Sequence, residues 1–176
     1  MLPALKELDL MEPSGSAGLD GVARLAEGLV AGSLPAVLDL DLDSMHVGDA
    51  GASAIAAALD RGALPRLQCL SLINAAIGDA ALAALAPALR RRPALEFLFL
   101  SSNPFGDDGL AALVAPPPAD APPPQAEVLA KLKRLNLFGT QITDDGCAHL
   151  ASRLRSGALP ALEYLSLHGT PASEAA

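Results

Sequence analysis

The feature that most constrains this chain is a nine-residue motif that returns six times. LPALKELDL at Leu2 recurs as LPAVLDLDL at Leu34, LPRLQCLSL at Leu64, RPALEFLFL at Arg92, LAKLKRLNL at Leu129 and LPALEYLSL at Leu159, with starts 32, 30, 28, 37 and 30 residues apart. A period of this length describes units that cannot bury an apolar face alone and must stack on their neighbours. In every copy the last two leucines flank an outward position: Leu8 and Leu10, Leu40 and Leu42, Leu70 and Leu72, Leu98 and Leu100, Leu135 and Leu137, Leu165 and Leu167. Period two over so few residues predicts a short strand.

Five residues past the last leucine stands one apolar plug: Val47, Ile77, Phe105 or Ile142. The turn then closes with Gly48-Asp49, Gly78-Asp79, Gly106-Asp107 or Thr143-Asp144. Each aspartate is expected to cap the helix it opens by accepting bonds from that helix's free N–H groups. Apolar residues then step by three and four, as in Ile55 and Leu59 or Leu82, Leu85 and Leu89, which predicts an amphipathic helix. Small residues at Gly51, Ala81, Gly109 and Gly146 let that helix approach the strand layer. Pro87 removes the usual partner of the Ala83 carbonyl and predicts a kink or an early stop.

Leucine spacing, plug, Gly-Asp turn and helix recur in register in four consecutive copies, with a looser first copy. On these residues the chain resembles the ribonuclease-inhibitor-like class of leucine-rich repeats, also found in intracellular nucleotide-binding innate-immune receptors and Ran GTPase-activating proteins. The resemblance implies an α/β right-handed solenoid, a horseshoe segment of six strand units over residues 1–170. Widths alone set its curvature, since neighbouring strands sit about 4.8 Å apart while helices need about 10 Å. The strands therefore line the concave face and the helices the convex one. The family places Asn or Cys three residues past the last strand leucine, where it bonds buried turn backbone. Here Asn103 alone obeys, while Pro13, Met45, Ala75, Thr140 and Thr170 occupy the other copies. Ala75 cannot make such a bond, so the ladder is expected to be incomplete. Repeat arrays need polar caps and none is visible, so the chain is expected to be part of a longer array or to self-associate through its ends.

Within the fourth unit, residues 115–125 read APPPADAPPPQ, with six prolines in nine residues. Such a run forbids helix and favours an exposed extended insertion. It contains P-x-x-P frames, but no basic residue flanks it closely. Residues 171–176 are expected to form a disordered tail. The net charge of −8 and pI near 4.7 oppose attraction to nucleic acid or an anionic membrane. Two cysteines, Cys69 and Cys147, are expected to stay free thiols, and with no signal peptide this points to the cytoplasm. His46, His149 and His168 fall in different repeats with no metal-ligand or catalytic spacing, and no phosphate-binding loop or nucleophile motif occurs. No catalytic, cofactor or metal residue is assigned, and the chain is expected not to be an enzyme.

The informative residues alternate with the strand leucines and point away from the core. Their first row is Glu7, Asp39, Cys69, Phe97, Arg134 and Tyr164, and their second is Asp9, Asp41, Ser71, Phe99, Asn136 and Ser166. The third is Met11, Asp43, Ile73, Ser101, Phe138 and His168. Four of the five aromatic residues, Phe97, Phe99, Phe138 and Tyr164, thus fall on a face where core packing does not require them. Glu7, Asp9, Asp39, Asp41 and Asp43 gather on the first two strands. A calcium site is the sharper reading of these carboxylates, but the segment lacks the glycine turn and distal glutamate of a calcium loop. These nine residues are the expected contacts for a protein partner with a basic and apolar surface. The alternatives are a GTPase regulator, implied by the resemblance to the Ran activators, and a ligand-sensing piece of a larger receptor.

Overall fold

Each Leu-x-Leu step forms a three-residue strand. A computed structural model of the protein describes residues 4–10, 19–29, 34–116 and 129–172. In chain order the elements are β1 (Glu7–Asp9), α1 (Leu19–Gly28), β2 (Asp39–Asp41), α2 (Gly48–Asp60), β3 (Cys69–Ser71), α3 (Asp79–Arg90), β4 (Phe97–Phe99), α4 (Asp107–Leu113), β5 (Arg134–Asn136), α5 (Asp144–Arg155) and β6 (Tyr164–Ser166). The strands form one parallel sheet in sequence order. Register never slips: Leu8, Leu40, Leu70, Leu98, Leu135 and Leu165 stand side by side in one row. Helices line up as a second layer, each against the next from α1 to α5. The core lies between the layers, where Leu40, Leu70, Leu98 and Leu135 are buried and Leu8 and Leu165 at the row's ends are half-buried. This is the horseshoe solenoid expected from the repeats, with strands on the concave side. Among the described residues no helix is long and apolar enough to cross a membrane.

Turns follow each strand by the same device. Ser44, Asn74, Ser102, Gly139 and Gly169, two residues past the last leucine, all have φ between 54° and 72°, a left-handed geometry that glycine and asparagine adopt at least cost. The plugs Val47, Ile77, Phe105 and Ile142 are fully buried beneath them. The gap expected at Ala75 is closed by the next unit. Asn103 Oδ1 accepts the N–H groups of Ala75 at 3.0 Å and Ile77 at 2.9 Å, and its Nδ2 donates to the carbonyls of Leu72 and Leu100 at 2.7 and 2.9 Å. One amide therefore serves two turns. Thr140 and Thr170 Oγ1 donate to the Leu137 and Leu167 carbonyls at 2.9 Å each, a local substitute for the same bond. The Pro13 position lies outside the described residues.

The capping expectation needs a correction. Asp79 and Asp107 do not bond the N-termini of their own helices; each reaches sideways to the next. Asp79 Oδ1 accepts the N–H groups of Gly106 and Gly109 at 2.8 and 2.7 Å, at the start of α4. Asp107 accepts the N–H of Thr143 at 2.8 Å and its hydroxyl at 2.6 Å, at the start of α5. Parallel helices side by side bring one carboxylate within reach of its neighbour's positive end. Gly109 and Gly146 are small for this reason as well: a Cβ on Gly109 would stand 2.8 Å from Asp79 Oδ1, and one on Gly146 would collide with Asp107. Arginines do the same at the other ends. Arg92 donates to the Leu59 and Ala63 carbonyls behind α2, and Arg153 Nε donates to Val114 behind α4 at 2.9 Å.

Pro87 does not stop its helix, which runs to Arg90. Leu85, Ala88 and Leu89 around it are buried. Burying two leucines stabilises by roughly 3–6 kcal/mol, against about 3 kcal/mol for an interior proline. Residues 117–125 of the proline-rich insertion lie outside the described residues, and the flanking Val114 and Leu129 are buried. At the far end the Ala172 N–H donates to the Ile142 carbonyl at 3.1 Å. Residues 173–176 lie outside the described residues.

Candidate functional site

Because each leucine row turns inward, its odd neighbours line the concave face in register. Glu7, Asp39, Cys69, Phe97, Arg134 and Tyr164 are consecutive partners along the sheet, as are Asp9, Asp41, Ser71, Phe99, Asn136 and Ser166. The third row continues past the strands through bonds such as Ser44 N–H to the Ile73 carbonyl and Ser102 N–H to the Phe138 carbonyl. Met11 lies outside the described residues.

At the β1–β2 end, Glu7, Asp9 and Asp39 are exposed while Asp41 and Asp43 are half-buried. Asp43 is committed to the turn: its Oδ1 accepts the Ser71 hydroxyl at 2.6 Å and the Ile73 N–H at 2.7 Å. Asp41 Oδ1 accepts the Asp43 N–H at 2.9 Å. Burial raises the Asp41 carboxyl above its ordinary pKa, the negative charges of Asp43 and Asp9 add to this, and the backbone bond opposes it. Cys69 lies beside these carboxylates. Burial first, then the charges of Asp39 and Asp41, push its thiol up to about 12, so it is a protonated thiol at neutral pH. Burial with Asp144 and Asp107 also raises Cys147. Both cysteines are free. Among the described residues no group of three or more His, Cys, Asp or Glu is arranged to hold a metal ion.

At the β4–β6 end, Phe138 and Tyr164 are 43% and 52% exposed, and Phe97 and Phe99 are half-buried. Phe138 stacks on the His168 ring at 5.9 Å, and its N–H donates to Asn136 Oδ1 at 3.1 Å. The Arg134 guanidinium stands over the Tyr164 ring at 5.9 Å, a cation–π contact. Sequence reasoning put Arg134 in the first row but gave it no role; its place between Phe97 and Tyr164 in that row was the available signal. The face thus has three zones: carboxylates, then a neutral and apolar middle, then a cation among aromatics. A groove of about 450 Å³ crosses it from Glu7 to Asn136, lined between them by Cys69, Ser71, Ile73 and Phe99. A second hollow of about 480 Å³, lined by Leu150, Leu154, Leu165 and Leu167, lies between α5 and β6.

Comparison with known proteins agrees with this architecture. A family model described as Leucine Rich repeat matches residues 94–114 and 128–151, which hold β4, α4, β5 and the first part of α5. No curated protein is detectably similar in sequence. Among solved structures, the chain is similar to "Leiomodin-1 Actin-Binding Site 2 (ABS2)", with a TM-score of 0.64 over 84% of this chain and 78% of that one, at 15% identity. That likeness is one of fold. Together the matches show leucine-rich repeats over residues 94–114 and 128–151 and a fold shared with a leucine-rich-repeat solenoid.

Proposed function

We propose that this leucine-rich-repeat solenoid is a non-catalytic module that binds a protein partner across its concave face. The observation that carries the reading is the exposure of Phe138 and Tyr164 at 43% and 52% on the same rigid sheet face as Glu7, Asp39 and Asp41. Exposed aromatics on a preformed surface have the composition of an interface, and desolvated aromatic anchors supply ~2 kcal/mol or more each. Unit lengths of 28 to 37 residues support the ribonuclease-inhibitor-like subtype, and the free cysteines support a reducing compartment such as the cytoplasm. A GTPase-regulating role has no side chain among the described residues that argues for it.

The test is a photo-reactive crosslinker placed at Ser166, beside Tyr164, followed by affinity measurement with the purified partner. Actin is a sensible first protein to try, given what the leiomodin-1 site of the same fold binds. Phe138→Ala with Tyr164→Ala should weaken binding about 30-fold or more, from ~2 kcal/mol at an anchor, while circular dichroism stays unchanged. Phe97→Ala with Phe99→Ala should abolish it. Asp39→Asn with Asp41→Asn should mainly slow association at low salt. Unchanged affinity in both aromatic variants would move the interface off this face.

A further inference from the structure

The three zones of the concave face lie in a fixed order, and a groove joins the first two. Its carboxylate end is Glu7 on β1 with Asp39 and Asp41 on β2, its middle is Ile73 and Phe99, and its far end is Asn136 on β5. Arg134 does not line the groove but shares that strand and stands in one row with Asp39, Cys69 and Phe97; it is exposed and makes no ion pair among the described residues. From β2 to β5 is three strand spacings, about 14 Å at ~4.8 Å each. The groove runs across the strands, so a chain lying in it also crosses them.

An extended chain advances ~3.3 Å per residue and turns alternate side chains to one side. Its first, third and fifth side chains therefore face the sheet over about 13 Å, the β2-to-β5 span. Charge complementarity then assigns each position. A cation is favoured at Asp39 and Asp41, where a half-buried carboxylate also lacks a compensating positive neighbour. An apolar group belongs over Phe99. A carboxylate belongs beside Arg134, whose guanidinium stands over the Tyr164 ring.

Resting on the concave-face reading above, we propose that this groove, together with Arg134 beside its far end, binds an extended protein segment carrying Lys or Arg, then an apolar residue, then Asp or Glu, at alternate positions, with the base at β2 and the acid at β5. An acidic patch next to an aromatic one would ask only for a basic, apolar partner; Arg134 adds a second charge and so an order.

The test uses two synthetic peptides at millimolar concentration, read by backbone amide shifts of the full chain. The first carries Arg-Ser-Leu-Ser-Glu between glycines, and the second has the same composition as Arg-Glu-Leu-Ser-Ser. The first should shift Asp39, Phe99 and Arg134 together and bind at least fivefold tighter than the second. Arg134→Glu should weaken the first peptide at least fivefold and restore binding of a third, in which Lys replaces the glutamate. Arg134→Ala should weaken the first without favouring the third, and both variants should melt as the parent does. Equal binding of the first two peptides, no shift with either, or indifference to Arg134→Glu would overturn the assignment. If it falls while Phe138→Ala with Tyr164→Ala still releases the purified partner, the concave-face reading stands and only the charge order is lost.

Discussion

Asn103 does more than any other single side chain among the described residues to join the turns. It is buried and satisfies two N–H groups of the preceding unit's turn as well as carbonyls on both sides. Asn103→Ala leaves those groups stranded, each costing ~1–3 kcal/mol, so a loss on the order of 3 kcal/mol is expected from urea midpoints at constant slope. Thr140→Val, which deletes one local bond, should cost only about 1 kcal/mol. Equal losses would show that the amide does not bridge the units. Asp41 predicts a pH effect of definite sign. Its folded pKa is raised above the unfolded value near 3.8. Its protonation therefore favours the folded state, fully so below the unfolded value, and that contribution is lost as pH rises through the raised one. Asp41→Asn keeps an acceptor for the Asp43 N–H and removes the repulsion. It should raise the melting temperature at pH 7 and leave it unchanged at pH 3; a lower value at pH 7 would contradict the sign.

At the level of elements, the helices are tied edge to edge by charge. Asp79 and Asp107 sit at the positive ends of α4 and α5, while Arg92 and Arg153 sit at the negative ends of α2 and α4, so these side chains compensate a neighbouring helix's dipole. The tightest case is Asp107 against Gly146, where a Cβ has no room. Gly146→Ala should cost ~1–3 kcal/mol by overpacking, and Asp107→Ala ~0.5–2 kcal/mol by loss of the cap. Removing the aspartate also removes the nearest obstacle, while Ile142 Cγ2 stays 2.9 Å from the added Cβ. The double variant should fall short of the sum by about 0.5 kcal/mol or more. Additivity would mean the glycine is small for some other reason.

For the whole molecule, stability is shared along a row rather than gathered at one centre, as in other linear arrays. Leu70 lies mid-row and fully buried, whereas Leu8 near the start is only half-buried. Leu70→Ala should therefore cost ~2–5 kcal/mol through the cavity it leaves. Leu8→Ala should cost distinctly less. Thermal melts of the two variants would check this, and equal losses would mean that burial along the row does not control stability.

Much of this architecture was legible in the chain because it is local and repeated. Leucines at period two specify strands and their inward face, and the same spacing in six copies dictates one register for all of them. The outward rows followed from alternation alone, including the places of Phe97, Phe99, Phe138, Tyr164 and the five carboxylates. Contacts between units were not legible, since they join residues such as Asp107 and Thr143, 36 positions apart. Tertiary structure decided that Asp79 and Asp107 cap the next helix, that Asn103 completes the turn at Ala75, and that α3 continues through Pro87. It also placed Leu34, Leu64, Leu129 and Leu159 at φ of 48°, 49°, 50° and 54°. This conformation costs about 1–2 kcal/mol, and it recurs in the half-buried Leu34 as in the three buried leucines. The tilt of Arg134 over Tyr164, which turns two zones of the concave face into three, belongs to the same class. Local pattern says which way a side chain points, and only the neighbouring unit decides what it meets there.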